Sequence, residues 1–308
     1  MWTVRPWYQP GSAAIEAPTH WPRKIARPVV GALRTIPVSC AALSFDADIA
    51  LRPVGDGRYE GEIRGGWWTP RGPLGGYVMA LMLRGLEETV ADPARMPRSC
   101  TMHFLRPPQP GPITVEATVE RAGRTLTSLS GRMVQEGKLM GLALGAFSTA
   151  WDGPLLADAP IPDVDPPGDR VTTGGRGVPD AVPPFIERMV FQHRFGPPLF
   201  SGADHGEVGG WLGLREERPI DAAAVAVLAD AWFPAPWPRL RALAPAPTID
   251  LTIHFRAPLP IADGLLLGRF RSRLVRDGFF EEDGELWAPD GALVAQSRQL
   301  GLLIGAEA

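Results

Sequence analysis

The sequence has few cysteines, no long hydrophobic run and no large excess of charge of either sign. Its two cysteines, Cys40 and Cys100, cannot form a metal cluster alone, and a disulfide-stapled secreted protein usually carries more. The longest apolar runs, such as GLALGAF and AAAVAVLA, fall well short of a membrane span. The formal net charge of −3 gives no electrostatic reason to expect nucleic acid or an anionic membrane as partner. We therefore expect a cytoplasmic protein that binds neither.

The composition is that of a globular protein. Of the 308 residues, 45% are hydrophobic and 21% are charged, and the length suits two domains or one domain built from two halves. The first residues carry positive charge but no apolar segment of the secretory kind, so residues 1–44 are predicted to be a poorly specified N-terminal extension. Val38 is a plausible alternative translation start.

A short motif occurs twice, as CTMHFLR at residues 100–106 and as TIDLTIHFR at residues 248–256. Thr252 lies 151 positions after Thr101. Apolar and polar residues alternate in both copies, which predicts strands with one apolar and one polar face. In the second copy, the apolar face carries Ile249, Leu251, Ile253 and Phe255, and the polar face carries Asp250, Thr252, His254 and Arg256.

The elements around the motif also occur twice. A tight turn and a strand are predicted at Gly137 and again at Gly291, 154 positions later, so one loop is three residues longer. A helix precedes each motif strand: GGYVMALMLRGLEETVA begins at Gly75 and ends before Pro93, and DAAAVAVLADAWF begins after Asp221 and ends before Pro234.

This order predicts an α+β protein. A long apolar helix followed by antiparallel strands, repeated once, is the pattern of a double hotdog, in which each helix is wrapped by a curved sheet. We assign the first repeat to residues 45–151 and the second to residues 190–308. Residues 152–189 between them are rich in proline, glycine and aspartate and are predicted to be a linker.

Asp230 is the first candidate for chemistry. It is predicted to lie in the second helix, inside the apolar run AAAVAVLADAW, where a carboxylate is costly to bury and something must compensate for it. Its counterpart in the first half is uncertain because the loops after the two helices differ in length. The nearest acidic residues there are Glu87 and Glu88.

Thr248 and Gln299 are the other two candidates, because the repeat lacks them in its first half. The position that corresponds to Thr248 holds Pro97, and the position that corresponds to Gln299 holds Gly145. Residues kept for packing are expected in both halves, whereas a site present once is not. The alternation places Thr248 on the polar face of its strand.

Together, an aspartate, a threonine and a glutamine form a hydrolytic set. The carboxylate can accept a proton from water, and the hydroxyl and amide can hold that water. A helix-start amide near Gly76 would then polarise the carbonyl under attack. Structural roles are the alternatives: Asp230 tied to amides or an arginine, Thr248 in a strand-edge turn, and Gln299 on the surface of a strand.

Residues 45–151 and 190–308 resemble the acyl-CoA thioesterase II family, which is TesB-like and has the double-hotdog fold. The resemblance rests on GGYVMALML and HFLRP in the first half, and on Asp230, Thr248 in TID and Gln299 in SRQLG in the second. It implies hydrolysis of acyl-CoA to free CoA and a carboxylic acid, with these three residues catalytic and with no metal or cofactor. Acyl-CoA is then the expected partner, and a homo-oligomer is possible.

Five residues are predicted to contact the substrate. Gly75, Gly76 and Tyr77 begin the first helix, although the family tends to have a polar side chain where Tyr77 stands. Phe279 and Phe280 are predicted to line a pocket for the acyl chain, with aromatic core residues as the alternative.

Two other functions remain open at this stage. HGEVG, from His205 to Gly209, resembles the beginning of a dehydratase motif, but Leu214 stands where that motif has proline. A protein that binds acyl-CoA without turnover is the second alternative. His103 and His254 occur in both halves, which indicates a shared packing or interface role rather than catalysis.

Overall fold

The computed structural model describes residues 44–172, 183–262 and 264–306. The predicted extension lies outside these residues, except for Ser44. None of the helices in the described ranges is long and apolar enough to cross a membrane. A mostly antiparallel sheet with few helices confirms the predicted α+β class.

The helices are α1 (Phe45–Asp48), α2 (Gly75–Val90) and α3 (Ala222–Leu228), with 3₁₀ turns at Gly65–Trp67, Pro184–Arg188 and Trp237–Arg239. The strands are β1 (Arg52–Gly55), β2 (Arg58–Ile63), β3 (Trp68–Thr69), β4 (Gly72–Pro73), β5 (Met96–Phe104), β6 (Gly111–Ala122), β7 (Leu126–Gln135), β8 (Lys138–Ser148), β9 (Met189–Phe195), β10 (Gly206–Leu214), β11 (Thr248–Phe255), β12 (Leu266–Ser272), β13 (Val275–Arg276), β14 (Phe279–Trp287) and β15 (Leu293–Leu302).

Within the described ranges, thirteen strands form one antiparallel sheet, and β3 pairs with β4 separately. From the central pair β5–β11, one side of the sheet continues with β8, β7, β6, β2 and β1. The other side continues with β15, β14, β12, β10 and β9, and β13 pairs with β14. The strand order on one side therefore matches the order on the other, with β5 corresponding to β11 and β8 to β15.

The two copies of the motif form the central pair of strands. Thr101 lies opposite Thr252 in the register of β5 and β11, and their hydroxyl oxygens are 3.0 Å apart. His103 and His254 are exposed on the outer face of the same strands. The motif thus joins the two sides of the sheet.

A β-bulge changes the face on which Thr248 lies. The register between β11 and β15 shifts between Thr248 and Asp250, so Thr248 lies opposite Gly301 and Asp250 opposite Leu300. Because one extra residue reverses the alternation, Thr248 lies on the inner face, contrary to the prediction. β5 has the same shift between Pro97 and Ser99.

The two main helices pack side by side against the inner face of the sheet. α2 is buried along most of its length and ends at Ala91, which has a φ of 50° and donates to the carbonyl of Glu87. The predicted end before Pro93 is confirmed. α3 begins after Asp221, whose side chain accepts from the amide of Ala224, and every one of its residues is buried.

The second helix is shorter than predicted. α3 ends at Leu228, so Asp230 does not lie in the helix. The amide of Asp230 bonds instead to the carbonyl of Val227, three residues back, at 3.2 Å, which tightens the last turn and takes the chain away from the helix axis. Asp230 consequently lies in the turn that follows.

The described part of the segment after β8, up to residue 172, has no helix or strand, but side chains of the sheet hold it. The indole N–H of Trp211 donates to the carbonyl of Asp165 at 2.8 Å, and that of Trp287 donates to Ala159 at 3.1 Å. Ile161 packs against the hydrophobic cluster that contains Trp211 and Trp287. These contacts tie the segment to the second half of the sheet.

Candidate active site

Asp230 lies where the turn after α3 meets the beginning of α2. Its Oδ2 accepts a hydrogen bond of 2.7 Å from the backbone N–H of Gly76. The first amides of a helix lack partners within the helix and lie at the positive end of its dipole, so they stabilise an anion. Burial raises the pKa of Asp230 to about 7, and the amides of Gly76 and Gly75 oppose this rise. A carboxyl group with this pKa can accept and return a proton near neutral pH.

The two glycines provide the space for this contact. A Cβ on Gly76 would lie 2.4 Å from the carbonyl oxygen of Ala226, and one on Gly75 would lie 3.0 Å from Oδ2 of Asp230. The beginning of α2 can therefore approach Ala226 and the carboxylate of Asp230 because Gly75 and Gly76 have no side chains. The prediction that the Gly76 amide polarises a substrate carbonyl needs correction, because in the structure this amide binds Asp230.

Thr248 and Gln299 lie on adjacent strands and contact each other. The hydroxyl of Thr248 donates to Oε1 of Gln299 at 2.8 Å. Gln299 is buried on the inner face of β15, and the bulge in β11 places Thr248 on the same face. The structure therefore brings together two of the three residues predicted to act on water.

Glu282 is the residue that the sequence analysis missed. It lies on β14 opposite Gln299 and is only 4% exposed. Its Oε1 accepts from Nε2 of Gln299 at 2.7 Å, and its Oε2 accepts from the amide of Ala235 at 2.6 Å. Burial, together with the charges of Asp230 and Glu281, raises the pKa of Glu282 to about 7, although the hydrogen bonds from Ala235 and Gln299 lower it.

Asp230, Thr248, Glu282 and Gln299 form what we call the inner polar cluster. Hydrogen bonds connect three of them, and the charge of Asp230 acts on Glu282. Ala235, which binds Glu282, follows Asp230 by five residues, so one short loop carries both contacts. The loop thus places a carboxyl group of pKa about 7 close enough to the hydrogen-bonded residues for its charge to act on Glu282.

The first half of the sheet has no such cluster. Leu129 lies opposite Gly145 in the register of β7 and β8, as Glu282 lies opposite Gln299 in that of β14 and β15. Pro97, beside the bulge in β5, takes the place of Thr248. These three positions carry no polar side chain, so the cluster occurs once among the described residues.

Tyr77, which was predicted to contact the substrate, makes structural contacts in the core. Its ring is fully buried and stacks on Trp67 at 5.2 Å. Its hydroxyl accepts from the amide of Arg64 and donates to the carbonyl of Asp48, both at 3.0 Å. Burial raises the pKa of Tyr77 above its ordinary value. With its hydroxyl bonded and its ring packed, no part of the side chain is free for a ligand.

Phe279 and Phe280 cannot line one pocket together. Adjacent side chains on a strand point to opposite faces, and Phe279 is 44% exposed whereas Phe280 is buried. Phe280 packs in a small cluster with Leu240 and Leu303. The structure therefore places the two rings on opposite faces of β14, and a role of either ring in holding an acyl chain stays a prediction.

His205, on which the dehydratase alternative depends, is exposed next to the beginning of β10. Its ring nitrogen Nδ1 lies 2.6 Å from a carboxylate oxygen of its neighbour Asp204. This contact lies outside the inner polar cluster, so the geometry does not favour a histidine-dependent reaction.

The chain is similar to several solved structures. A conserved protein of unknown function with a hotdog fold from Alicyclobacillus acidocaldarius is 27% identical, with a TM-score of 0.76 over 87% of this chain and 99% of that one. A putative thioesterase II from Thermobifida fusca is 29% identical, with a TM-score of 0.70 over 84% of this chain and 97% of that one. The acyl-CoA thioesterase II TesB2 from Mycobacterium marinum is 21% identical, with a TM-score of 0.68 over 84% and 98%, and supports the fold alone.

Two family models match the sequence, whereas no curated protein matches it significantly. The model of the acyl-CoA thioesterase N-terminal domain matches residues 64–150. The model of the C-terminal domain of the same family matches residues 158–303, so together they cover more than half of the chain. The chain therefore belongs to the acyl-CoA thioesterase family and is a thioester hydrolase with a hotdog fold.

Proposed function

We propose that the inner polar cluster hydrolyses an acyl-CoA thioester to free CoA and a carboxylic acid, with Asp230 as the general base. The observation that carries this proposal is the position of Asp230, which combines a pKa of about 7 with a fixed place on the first amides of α2. A base with a pKa near the working pH is efficient because enough of it is deprotonated while the proton transfer is still favourable.

In this mechanism, water loses a proton to Asp230 while its oxygen attacks the thioester carbonyl carbon. The carbon–sulfur bond then breaks, CoA leaves as the thiolate, and the proton held by Asp230 returns to the sulfur. Thr248 and Gln299 hold the water in line for attack. The amide of Gly76 keeps Asp230 in place, so we assign it to the base rather than to the carbonyl oxygen.

The acyl chain is proposed to lie against apolar residues between the two halves. The ring of Phe104 lies beside Gly75, where an added Cβ would be 3.3 Å from its Cζ. Because Oδ2 of Asp230 lies 3.0 Å from the same point, an acyl group on this ring would have its thioester near the base.

We further propose that the chain is a double hotdog with repeats at residues 45–151 and 190–308. The matching strand order about β5 and β11 and the bulge in both central strands support a duplication. Residues 152–189 connect the repeats, and the contacts of Asp165 and Ala159 make the described part of this connection up to residue 172 a packed segment. An experimental structure in which either half lacks the other's strand order would contradict the duplication.

The test of function is release of free thiol from a panel of acyl-CoA substrates of different chain length. We expect D230N to lower kcat by about 100- to 10,000-fold, the usual contribution of a general base. Equal turnover by the wild type and D230N would contradict the assignment of Asp230. H205A serves as the control: if the dehydratase alternative held, it would abolish hydration of enoyl thioesters while thiol release continued.

A further inference from the structure

The hydrogen bonds of the inner polar cluster form a chain with a defined direction. The amide of Ala235 donates to Oε2 of Glu282, Nε2 of Gln299 donates to Oε1 of Glu282, and the hydroxyl of Thr248 donates to Oε1 of Gln299. Every donor in this chain points toward Glu282. The direction matters because a hydroxyl that donates to one partner can present only its lone pairs to another.

An ionised carboxylate is the group that imposes this direction. It accepts hydrogen bonds and donates none, so Gln299 must turn Nε2 toward Glu282 and Oε1 toward Thr248. The hydroxyl hydrogen of Thr248 is then committed to Gln299. The free lone pairs of Thr248 can accept one hydrogen of a water molecule while Asp230 accepts the other.

We propose that Glu282 is a positioning residue that fixes the direction of this chain, so that Thr248 accepts a hydrogen bond from the reacting water. The proposal rests on the proposed thioesterase function, because the water it orients is the nucleophile of that reaction. The carboxylate of Glu282 accepts hydrogen bonds from Gln299 and from the amide of Ala235, and Gln299 in turn bonds to Thr248, so Glu282 acts on Thr248 through Gln299.

Packing alone does not explain a carboxylate at this position. In the first half, Leu129 occupies the same place in the register and is buried among apolar neighbours. Burial of Glu282 costs stability, and the groups whose charges act on it, Asp230 and Glu281, are both acidic and add to that cost. The carboxylate thus occurs in the half that has Gln299 and Thr248, and leucine occurs in the half that lacks them.

The E282Q variant tests the direction of this chain of hydrogen bonds, because glutamine has nearly the same shape as glutamate. The new amide has a single acceptor oxygen, which the amide of Ala235 takes, and its nitrogen then donates to Oε1 of Gln299. Gln299 must therefore turn Nε2 toward Thr248, which becomes an acceptor from Gln299. We expect all the hydrogen bonds and the fold to be retained. The hydrogen bond between Thr248 and Gln299, however, is reversed, so that Thr248 accepts it instead of donating it.

The double variant E282Q/Q299E is the matched control. It exchanges the amide and the carboxylate, so the amide at position 282 accepts from Ala235 and donates to the carboxylate at position 299. That carboxylate accepts from Thr248, as Gln299 does in the wild type. Thr248 therefore donates its hydrogen bond again, as in the wild type, although the residues at positions 282 and 299 have both been changed.

Kinetics of thiol release give the first readout. We expect E282Q to lower kcat by about 10- to 100-fold with KM changed less than about twofold, because misplaced reacting groups affect the rate rather than binding. The double variant should recover at least about tenfold of this loss. Wild-type kcat in E282Q, or a folded double variant no faster than E282Q, would overturn the proposal.

The second readout does not need turnover and separates the two proposals. In ¹⁵N-labelled D230N, which lacks the other carboxyl group of the cluster, the side-chain amide of Gln299 should shift as Glu282 titrates, at a lower pH than in the wild type because the charge of Asp230 no longer raises the pKa of Glu282. D230N/E282Q should lose this titration. If the wild type hydrolyses no acyl-CoA, the thioesterase proposal fails while this titration still tests Glu282, and a Gln299 signal unaffected by E282Q would overturn the proposed positioning role.

Discussion

At the scale of single residues, a buried carboxylate makes stability depend on pH. The pKa of Asp230 is raised to about 7 in the folded protein, above its value of about 4 in an unfolded chain. Between these values the folded state binds more protons than the unfolded state, so stability falls as pH rises from about 4 to 7. Below this range the carboxyl group is protonated in both the folded and the unfolded state, so its burial involves no charge and the stability no longer depends on its titration.

D230N removes this dependence, because the amide is neutral throughout and can still accept from Gly76. We expect the free energy of unfolding of D230N, relative to the wild type, to increase between pH 5 and pH 8 by on the order of 2 kcal/mol. Urea unfolding at the two pH values measures it, with D290N as the control for loss of one exposed charge. An equal difference at both values would contradict the burial of a charged Asp230.

The sequence was informative about residues where the two halves differ. Thr248 and Gln299 could be selected because Pro97 and Gly145 stand in their places. Glu282 could have been found from alternation, since it shares the parity of buried neighbours in β14, but it lies within the acidic run EED, which reads as a solvated surface. Its partner Gln299 lies on another strand, and only the register brings them together.

At the scale of elements, the sequence predicted the two main helices, the two motif strands and the strands at the turns of Gly137 and Gly291, but not the local departures near the candidate site. The bulge at Thr248 and the end of α3 at Leu228 both depend on contacts with other elements. The apolar run AAAVAVLADAW continues through Asp230, so periodicity alone extends the helix too far. Both departures point a functional side chain into the cluster.

G76A tests the contact between α2 and α3. A Cβ at Gly76 would lie 2.4 Å from the carbonyl of Ala226 and 3.0 Å from Cβ of Asp230, so the two helix ends must move apart. We expect a loss of about 1–3 kcal/mol in the free energy of unfolding, as for other overpacked sites, and a lower kcat because Asp230 is displaced. G65A is the control, since no atom lies within 4 Å of its added Cβ; equal effects of both variants would contradict the argument.

At the scale of the whole molecule, the paired helices create two similar junctions with different chemistry. At one, the beginning of α2 receives Asp230. At the other, the beginning of α3 is capped by Asp221, whose Oδ2 accepts from Nη2 of Arg84 at 2.7 Å. An ion pair thus takes the place at the second junction that Asp230 has at the first, so among the described residues the second junction has no counterpart of the inner polar cluster.

Glu87 allows the effect of a raised pKa on catalysis to be distinguished from the effect of position in the fold. Burial raises its pKa to about 7, as for Asp230, but it lies at the junction with the ion pair and bonds to Arg84 at 3.2 Å. If geometry rather than pKa defines the site, E87Q should keep kcat within about twofold of the wild type, whereas D230N loses about 100-fold or more. Thiol release by the two variants at pH 8, with folding checked by thermal unfolding, measures this. An E87Q variant as impaired as D230N would mean that the second junction takes part in hydrolysis, because the two substitutions remove carboxyl groups of similar pKa from opposite junctions of the same helix pair.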